Sequence, residues 1–144
     1  MPGYPEVSAK VAMRCVELSH AGSMDPSQRE VGTGAAGKAS EGEFIRIQVR
    51  VRRERILEAR FKAFGCSGSI ASASLASEWA EGKSLEEAGS IRESDLAAAL
   101  ELPAARRHCA SLAEEALQGA IRNYREKCRQ GENLKSIVST GGSR

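Results

Sequence analysis

Residues 44–63 constrain the possible folds of this chain more than any other segment. Ile45, Ile47, Val49 and Val51 share one face of an extended run, and Arg46, Gln48 and Arg50 share the other. Leu57, Ala59, Phe61 and Ala63 then alternate with Glu58, Arg60 and Lys62. A period of two is that of a half-buried strand. The charged tetrapeptide Arg52-Arg53-Glu54-Arg55 between the runs predicts an antiparallel hairpin. A sheet built this way has an apolar face that something must cover, so the remaining segments have to supply helices.

They do so on both sides. Val7, Val11, Cys15 and Leu18 recur at helical spacing and predict an amphipathic helix from Tyr4 to about Leu18. Residues 19–42 are rich in Gly, Ser and Asp, with Val31 as the lone bulky apolar residue, and predict a loop with one short edge strand near Arg29–Thr33. Beyond Gly65-Cys66-Ser67-Gly68, the proline-free run Ser69–Gly82 predicts a helix with Gly82 as its C-cap. Ser84–Ala88 and Ser94–Leu100 predict two short helices, each started by its serine, and Glu87 completes a capping box with Ser84. Cys109, Leu112, Ala113, Ala116, Leu117, Ala120, Ile121 and Tyr124 form the clearest stripe, a long C-terminal helix with Pro103 near its start. Periodicity fades after Cys128. The expected architecture is therefore α+β: a small antiparallel sheet of about three strands packed against helices, in one domain over 1–128, with a flexible tail over 129–144.

Composition narrows the function classes. The chain has 144 residues, 41% hydrophobic and 28% charged, as in an ordinary globular protein large enough for one core. A net charge of +2 and 4% aromatics leave little for gripping phosphates or stacking bases, so no nucleic-acid partner is expected. No run approaches the roughly 18 apolar residues of a membrane span. Met-Pro-Gly-Tyr-Pro-Glu has no basic stretch followed by an apolar one, as a secretion signal would. A cytoplasmic location is expected, with the four cysteines as reduced thiols rather than a disulfide framework.

Those thiols carry the chemistry. Cys66 falls between a strand end and a helix start, while His108 and Cys109 open the long helix. Two thiols and an imidazole suit a soft metal: zinc, copper(I) or an iron–sulfur cluster. The positive end of a helix favours thiolate, so Cys109 is expected to have a lowered pKa and to bind metal or accept sulfane sulfur. A buried structural thiol is the competing reading, since Cys109 is in phase with the apolar stripe. Cys15 is read as core, Cys128 as a bystander, and His20 as a solvated loop residue. The arginines of the hairpin (Arg46, Arg50, Arg52, Arg53, Arg55 and Arg60) form either a solvated face or a docking face for an acidic protein.

Several runs resemble, in order, the U-type iron–sulfur cluster assembly scaffolds, the IscU and NifU N-terminal family. They are Val31-Gly32-Thr33-Gly34, Phe61 through Cys66, Ile70-Ala71-Ser72-Ala73-Ser74-Leu75, Gly82-Lys83-Ser84-Leu85-Glu86-Glu87-Ala88, and Glu101-Leu102-Pro103 on through His108-Cys109 to Ala116. The resemblance spans about Tyr4 to Tyr124. It implies a non-enzymatic scaffold that binds iron, zinc or a [2Fe–2S] cluster, with sulfur from a cysteine desulfurase and delivery to acceptor apoproteins. It also implies roles: Cys66 matches the family's second cysteine, His108 its histidine and Cys109 its third cysteine.

The sequence departs from the family at one corner. Where typical members read Ala-Cys-Gly-Asp, this chain reads Ser40-Glu41-Gly42-Glu43, so Glu41 replaces the first cysteine and Glu43 the aspartate. A carboxylate is a hard oxygen ligand that cannot accept sulfane sulfur. Two thiolates, an imidazole and a carboxylate from Glu41 or Glu43 suit zinc or iron(II), and a [2Fe–2S] unit tolerates non-thiolate ligands with altered potential. Two alternatives follow: an adaptor that regulates the desulfurase around a structural zinc, or a persulfide carrier using Cys66 or Cys109. The family's docking peptide for an Hsp70-type chaperone here reads Leu102-Pro103-Ala104-Ala105-Arg106, a weakened version with one proline lost.

Overall fold

The computed structural model describes residues 10–11 and 19–142, with side chains described through residue 131. Its elements run β1 (Val31–Lys38), β2 (Glu43–Arg52), β3 (Arg55–Phe64), α1 (Ser67–Ala80), α2 (Leu85–Gly89), α3 (Glu93–Leu100) and α4 (Arg107–Gly142), with short 3-10 turns at Ala39–Glu41 and Ala104–Arg106. The strands form a three-stranded antiparallel meander in the order β1-β2-β3. The expected α+β architecture, a small antiparallel sheet under helices with a long C-terminal one, is thus the observed one. α4 lies along β1 and β2, and α1 packs on β3 and α4. Ile45, Ile47, Val49, Ile56 and Ala59 from the sheet meet Ala71, Leu75, Ala113, Leu117 and Ala120 from the helices, all buried.

Four local differences from the sequence expectation have physical causes. The short edge strand expected near Arg29–Thr33 is the eight-residue strand β1, which runs on to Lys38 through the segment read as loop. Gly32 and Gly34 are there because the backbone of α4 rests on the strand: a methyl on Gly34 would sit 2.6 Å from the Gly119 carbonyl carbon. At these two positions the helix backbone has taken the place of a side chain, so the strand shows only Val31 and Ala36 as buried apolar residues.

The hairpin is tighter than the tetrapeptide suggested. Arg52 pairs with Arg55, leaving Arg53 and Glu54 at the turn with φ of 53° and 63°. Both signs match a type I′ turn, which fits the twist of the flanking strands. A β-bulge then shifts the register between Arg50 and Val51, so that Val51 opposes Ile56 and Arg50 opposes Glu58. Ile56 is buried, and Leu57, expected in the core, stands 47% exposed.

The polar face of the sheet is also partly covered. Residues 20–22 hydrogen-bond along the free edge of β3 at Phe61. The chain then crosses beneath Gln48, which is buried and exchanges two 2.8 Å hydrogen bonds with the backbone of Met24. His20 is not a solvated residue: its Nε2 lies 3.0 Å from Glu81 Oε1, and its side chain is 14% exposed. The arginines on this face are largely paired, Arg50 with Glu30 and Glu58, Arg60 with Glu58 and Glu81.

The helices differ at their ends. The capping box of α2 forms as expected between Ser84 and Glu87. Ser94 does not cap α3, however; the Glu93 N–H donates to Glu114 Oε1 of α4 at 2.6 Å, so a tertiary contact replaces the local cap. α4 continues to Gly142, past Cys128 where the apolar stripe ends, because a helix satisfies its own backbone whether or not a face is buried. Lys10 and Val11 are helical and Val11 is buried, while the rest of the expected N-terminal helix, with Val7, Cys15 and Leu18, lies outside the described residues.

Candidate metal and sulfur site

Three element ends converge at one end of the sheet. Glu43 opens β2, Cys66 follows β3 at the N-cap of α1, and His108 and Cys109 lie in the first turn of α4. Antiparallel pairing sets Phe44 opposite Phe64, which brings the start of β2 beside the end of β3 and hence Glu43 beside Cys66. Gly65 makes this approach possible. It has φ of 132°, and a methyl there would press on Gly42 O at 3.1 Å and on Glu43 Cγ at 3.2 Å.

The side chains form a tight cluster. Cys66 Sγ is 3.3 Å from Cys109 Sγ and 3.9 Å from Glu43 Oε1. His108 Nε2 is 3.0 Å from Glu43 Oε1 and 3.7 Å from Cys109 Sγ. Ligand atoms of Glu43, Cys66 and Cys109 all lie within 4.8 Å of one another. Ligands about 2.0–2.3 Å from a shared tetrahedral zinc stand about 3.3–3.8 Å apart, so the donors suit such an ion in chemistry, with the two thiols at that span and Glu43 just outside it from Cys66.

Exposure divides the cluster. Cys109 is wholly buried, Cys66 is half-buried, and the His108 side chain is 49% exposed. Burial pushes the Cys109 thiol up to about 12, with Cys66 and Glu43 adding to the rise and the Ser69 hydroxyl opposing it. The expectation of a helix-activated thiolate at Cys109 is therefore corrected: desolvation outweighs the helix terminus. Cys66 moves the other way. Burial raises it, but the Ser69 N–H, the Cys109 thiol, the Ser69 hydroxyl and the Gly68 N–H together hold it below its ordinary value.

Glu41 sits apart from these groups. It lies in the 3-10 turn before β2, 72% exposed, with its carboxylate 3.9 Å from Lys38 Nζ. Ser69 and Gly68 are participants that the sequence reading passed over. Ser69 is buried, with Oγ 3.8 Å from Cys66 Sγ, and a methyl on Gly68 would meet Cys109 Sγ at 3.2 Å and Cys66 Sγ at 3.6 Å. Their signal was position alone, the first turn of the helix that Cys66 caps. Cys128 is remote, lining a small pocket with Arg29, Glu30 and Tyr124. Leu102 is half-buried against the core and Pro103 leads into the 3-10 turn that precedes α4.

Known proteins share this arrangement of sequence and fold. The family model for the NifU-like N terminal domain matches residues 7–131. The iron-sulfur cluster assembly scaffold protein IscU of Haemophilus influenzae is 46% identical over 121 residues, covering 83% of this chain and 96% of that protein. IscU of Escherichia coli K12 is 45% identical over 121 residues, covering 83% and 94%. The IscU of Plasmodium falciparum is 46% identical over 106 residues, and there the match covers 74% of this chain and 65% of that protein. A NifU-like protein (N-terminal) from Brucella abortus superposes with a TM-score of 0.65 over 85% of this chain and 96% of that one, at 16% identity. Among the described residues no helix is long and apolar enough to cross a membrane. This chain belongs to the family of the NifU-like N-terminal domain, the U-type scaffolds.

Proposed function

We propose that the chain is an iron–sulfur cluster assembly scaffold with an altered ligand set, holding iron(II), zinc or a [2Fe–2S] unit through Cys66, Cys109, His108 and Glu43. The observation that carries this reading is the convergence of a carboxylate and two thiols whose ligand atoms lie within 4.8 Å of one another, with the His108 imidazole 3.0 Å from that carboxylate. Glu43 is the carboxylate that lies in reach, and Glu41 would enter only if its turn swung inward. As in its scaffold relatives, cargo rather than a resident cofactor would occupy the site, and no small substrate would be turned over. Sulfur would come from a cysteine desulfurase and the product would pass to acceptor apoproteins in the cytoplasm. The segment Leu102–Arg106 would offer an Hsp70-type chaperone a reduced docking peptide.

Anaerobic reconstitution with iron(II), cysteine and a cysteine desulfurase tests the proposal. The expected result is a visible charge-transfer spectrum that disappears in Cys66→Ala and Cys109→Ala. One equivalent of zinc, no cluster and intact desulfurase binding would instead assign the chain as an adaptor. Glu41→Cys is the companion variant: a more persistent cluster is expected if the missing thiol limits the site.

A further inference from the structure

We propose that Cys66 and Cys109 form a sulfide-releasing pair, Cys66 accepting a sulfane sulfur and Cys109 expelling it as hydrogen sulfide while a disulfide closes between them. This rests on the scaffold reading in one respect, the supply of sulfane sulfur by a persulfide donor. The division of labour comes from the geometry. Cys66 is half-buried and so within reach of a donor from solvent, whereas Cys109 is wholly buried with its Sγ 3.3 Å from that of Cys66. A persulfide on Cys66 would therefore carry its outer sulfur toward the open side, with a thiol on the opposite side of the inner sulfur. Thiol–disulfide exchange proceeds by attack of one sulfur on another with the leaving sulfur departing opposite.

The two steps balance without a further reductant. In the first step the Cys66 thiol takes one neutral sulfur atom from the donor and becomes Cys–S–SH. In the second the Cys109 sulfur attacks the inner sulfur, the outer S–S bond breaks, and the outer sulfur leaves with the thiol proton as hydrogen sulfide. The sulfane sulfur is reduced by two electrons and the two cysteines are oxidised by two, to one disulfide. A bonded pair needs the sulfurs at about 2.05 Å, so they must close by little more than an ångström from their present contact. Gly68 leaves the two sulfurs room to move together, since a methyl there would touch both. The third member of the cluster is the carboxylate of Glu43, which cannot accept sulfane sulfur, so the sulfur has no further thiol acceptor among Glu43, Cys66 and Cys109.

The test uses the whole reduced, metal-free chain, treated anaerobically with inorganic tetrasulfide and followed by intact mass and peptide mapping. Wild type is expected to lose two hydrogens, form the Cys66–Cys109 disulfide, and release about one more equivalent of sulfide than Cys109→Ser. Cys109→Ser is expected to hold one extra sulfur atom on Cys66, and Cys66→Ser to take up sulfur far more slowly. Stable persulfide on Cys66 of wild type, with no disulfide, overturns the pair while leaving sulfur acceptance intact. So does persulfide forming on Cys109 of Cys66→Ser as fast as on wild type. If neither wild type nor Cys109→Ser takes up sulfur, the sulfur-accepting part of the scaffold reading falls together with the proposal.

Discussion

Replacing Gly34 by alanine puts the helix–sheet contact to a direct test. Gly34 lies on β1 where α4 crosses, and an added methyl would stand 2.6 Å from Gly119 C and closer still to Ala116 O and Ala120 N. All three are backbone atoms of a helix, so no side chain can turn aside. Ordinary contact begins near 3.4 Å, so α4 must lift from β1 by close to an ångström. Lifting it loosens Ala113, Ala116, Leu117 and Ala120, each wholly buried. Overpacking in a close-packed interior costs about 1–3 kcal/mol, and with rigid backbone on both sides we expect about 3 kcal/mol. Against a total of roughly 5–15 kcal/mol that is a large share, with a fall in Tm on the order of 10 °C. Urea unfolding followed by circular dichroism, in EDTA so that metal binding does not contribute, measures it. Gly89→Ala is the control, because nothing lies within 4 Å of its added methyl, and it should leave stability unchanged or raise it by up to about 1 kcal/mol. A Gly34→Ala protein within about 0.5 kcal/mol of wild type would refute the argument that the helix backbone requires glycine there.

The remaining predictions concern the site and pH. Iodoacetamide at pH 8 should label Cys66 of the metal-free chain well before Cys109, whose thiol is buried and pushed up to about 12; peptide mapping showing equal rates would contradict the assignment. Glu43→Ala should weaken zinc binding by about 100-fold or more, since a direct ligand contributes at least as much as an outer-shell partner, while Glu41→Ala should leave it unchanged, as measured by competition with a chromophoric chelator. Burial raises the Glu81 carboxyl, but the Ala59 N–H, His20 and Arg60 outweigh it and hold the group below its usual 4.5. A folded pKa below the unfolded one means that the unfolded chain binds more protons between the two values. Glu81 therefore stabilises the fold above about pH 4.5, and that contribution is lost as pH falls through the folded value. Urea midpoints from pH 3 to 6 should fall more steeply for wild type than for Glu81→Gln; parallel curves would rule this out.

Much of the architecture was legible because it was written in side chains. The alternation at Ile45–Val51 and the stripe from Cys109 to Tyr124 are one-dimensional records of which face is dry. β1 was legible only as a short edge strand near Arg29–Thr33; its full length to Lys38 was not, because its contact with α4 is made through backbone at Gly32 and Gly34, where there is no side chain to leave a pattern. Leu57 was misplaced for a related reason: one bulged residue reverses the parity of a strand, and nothing in Arg55-Ile56-Leu57-Glu58 announces it. His20 and Gln48 looked solvated because polar residues in loops and on polar faces usually are, and only the crossing of residues 19–30 buries them.

At the site the division is similar. The sequence, through its family resemblance, offered Cys66, His108 and Cys109 as candidate donors, and the fold brings all three to one end of the sheet. Which carboxylate stands beside them follows from packing in three dimensions, since Glu41 and Glu43 are two residues apart and a 3-10 turn sends the first into solvent. Packing also selects the accessible thiol. A helix N-terminus promised a reactive Cys109, but the reactivity of a thiol depends on its solvation, and solvation is set by the side chains packed around it rather than by its neighbours in the chain.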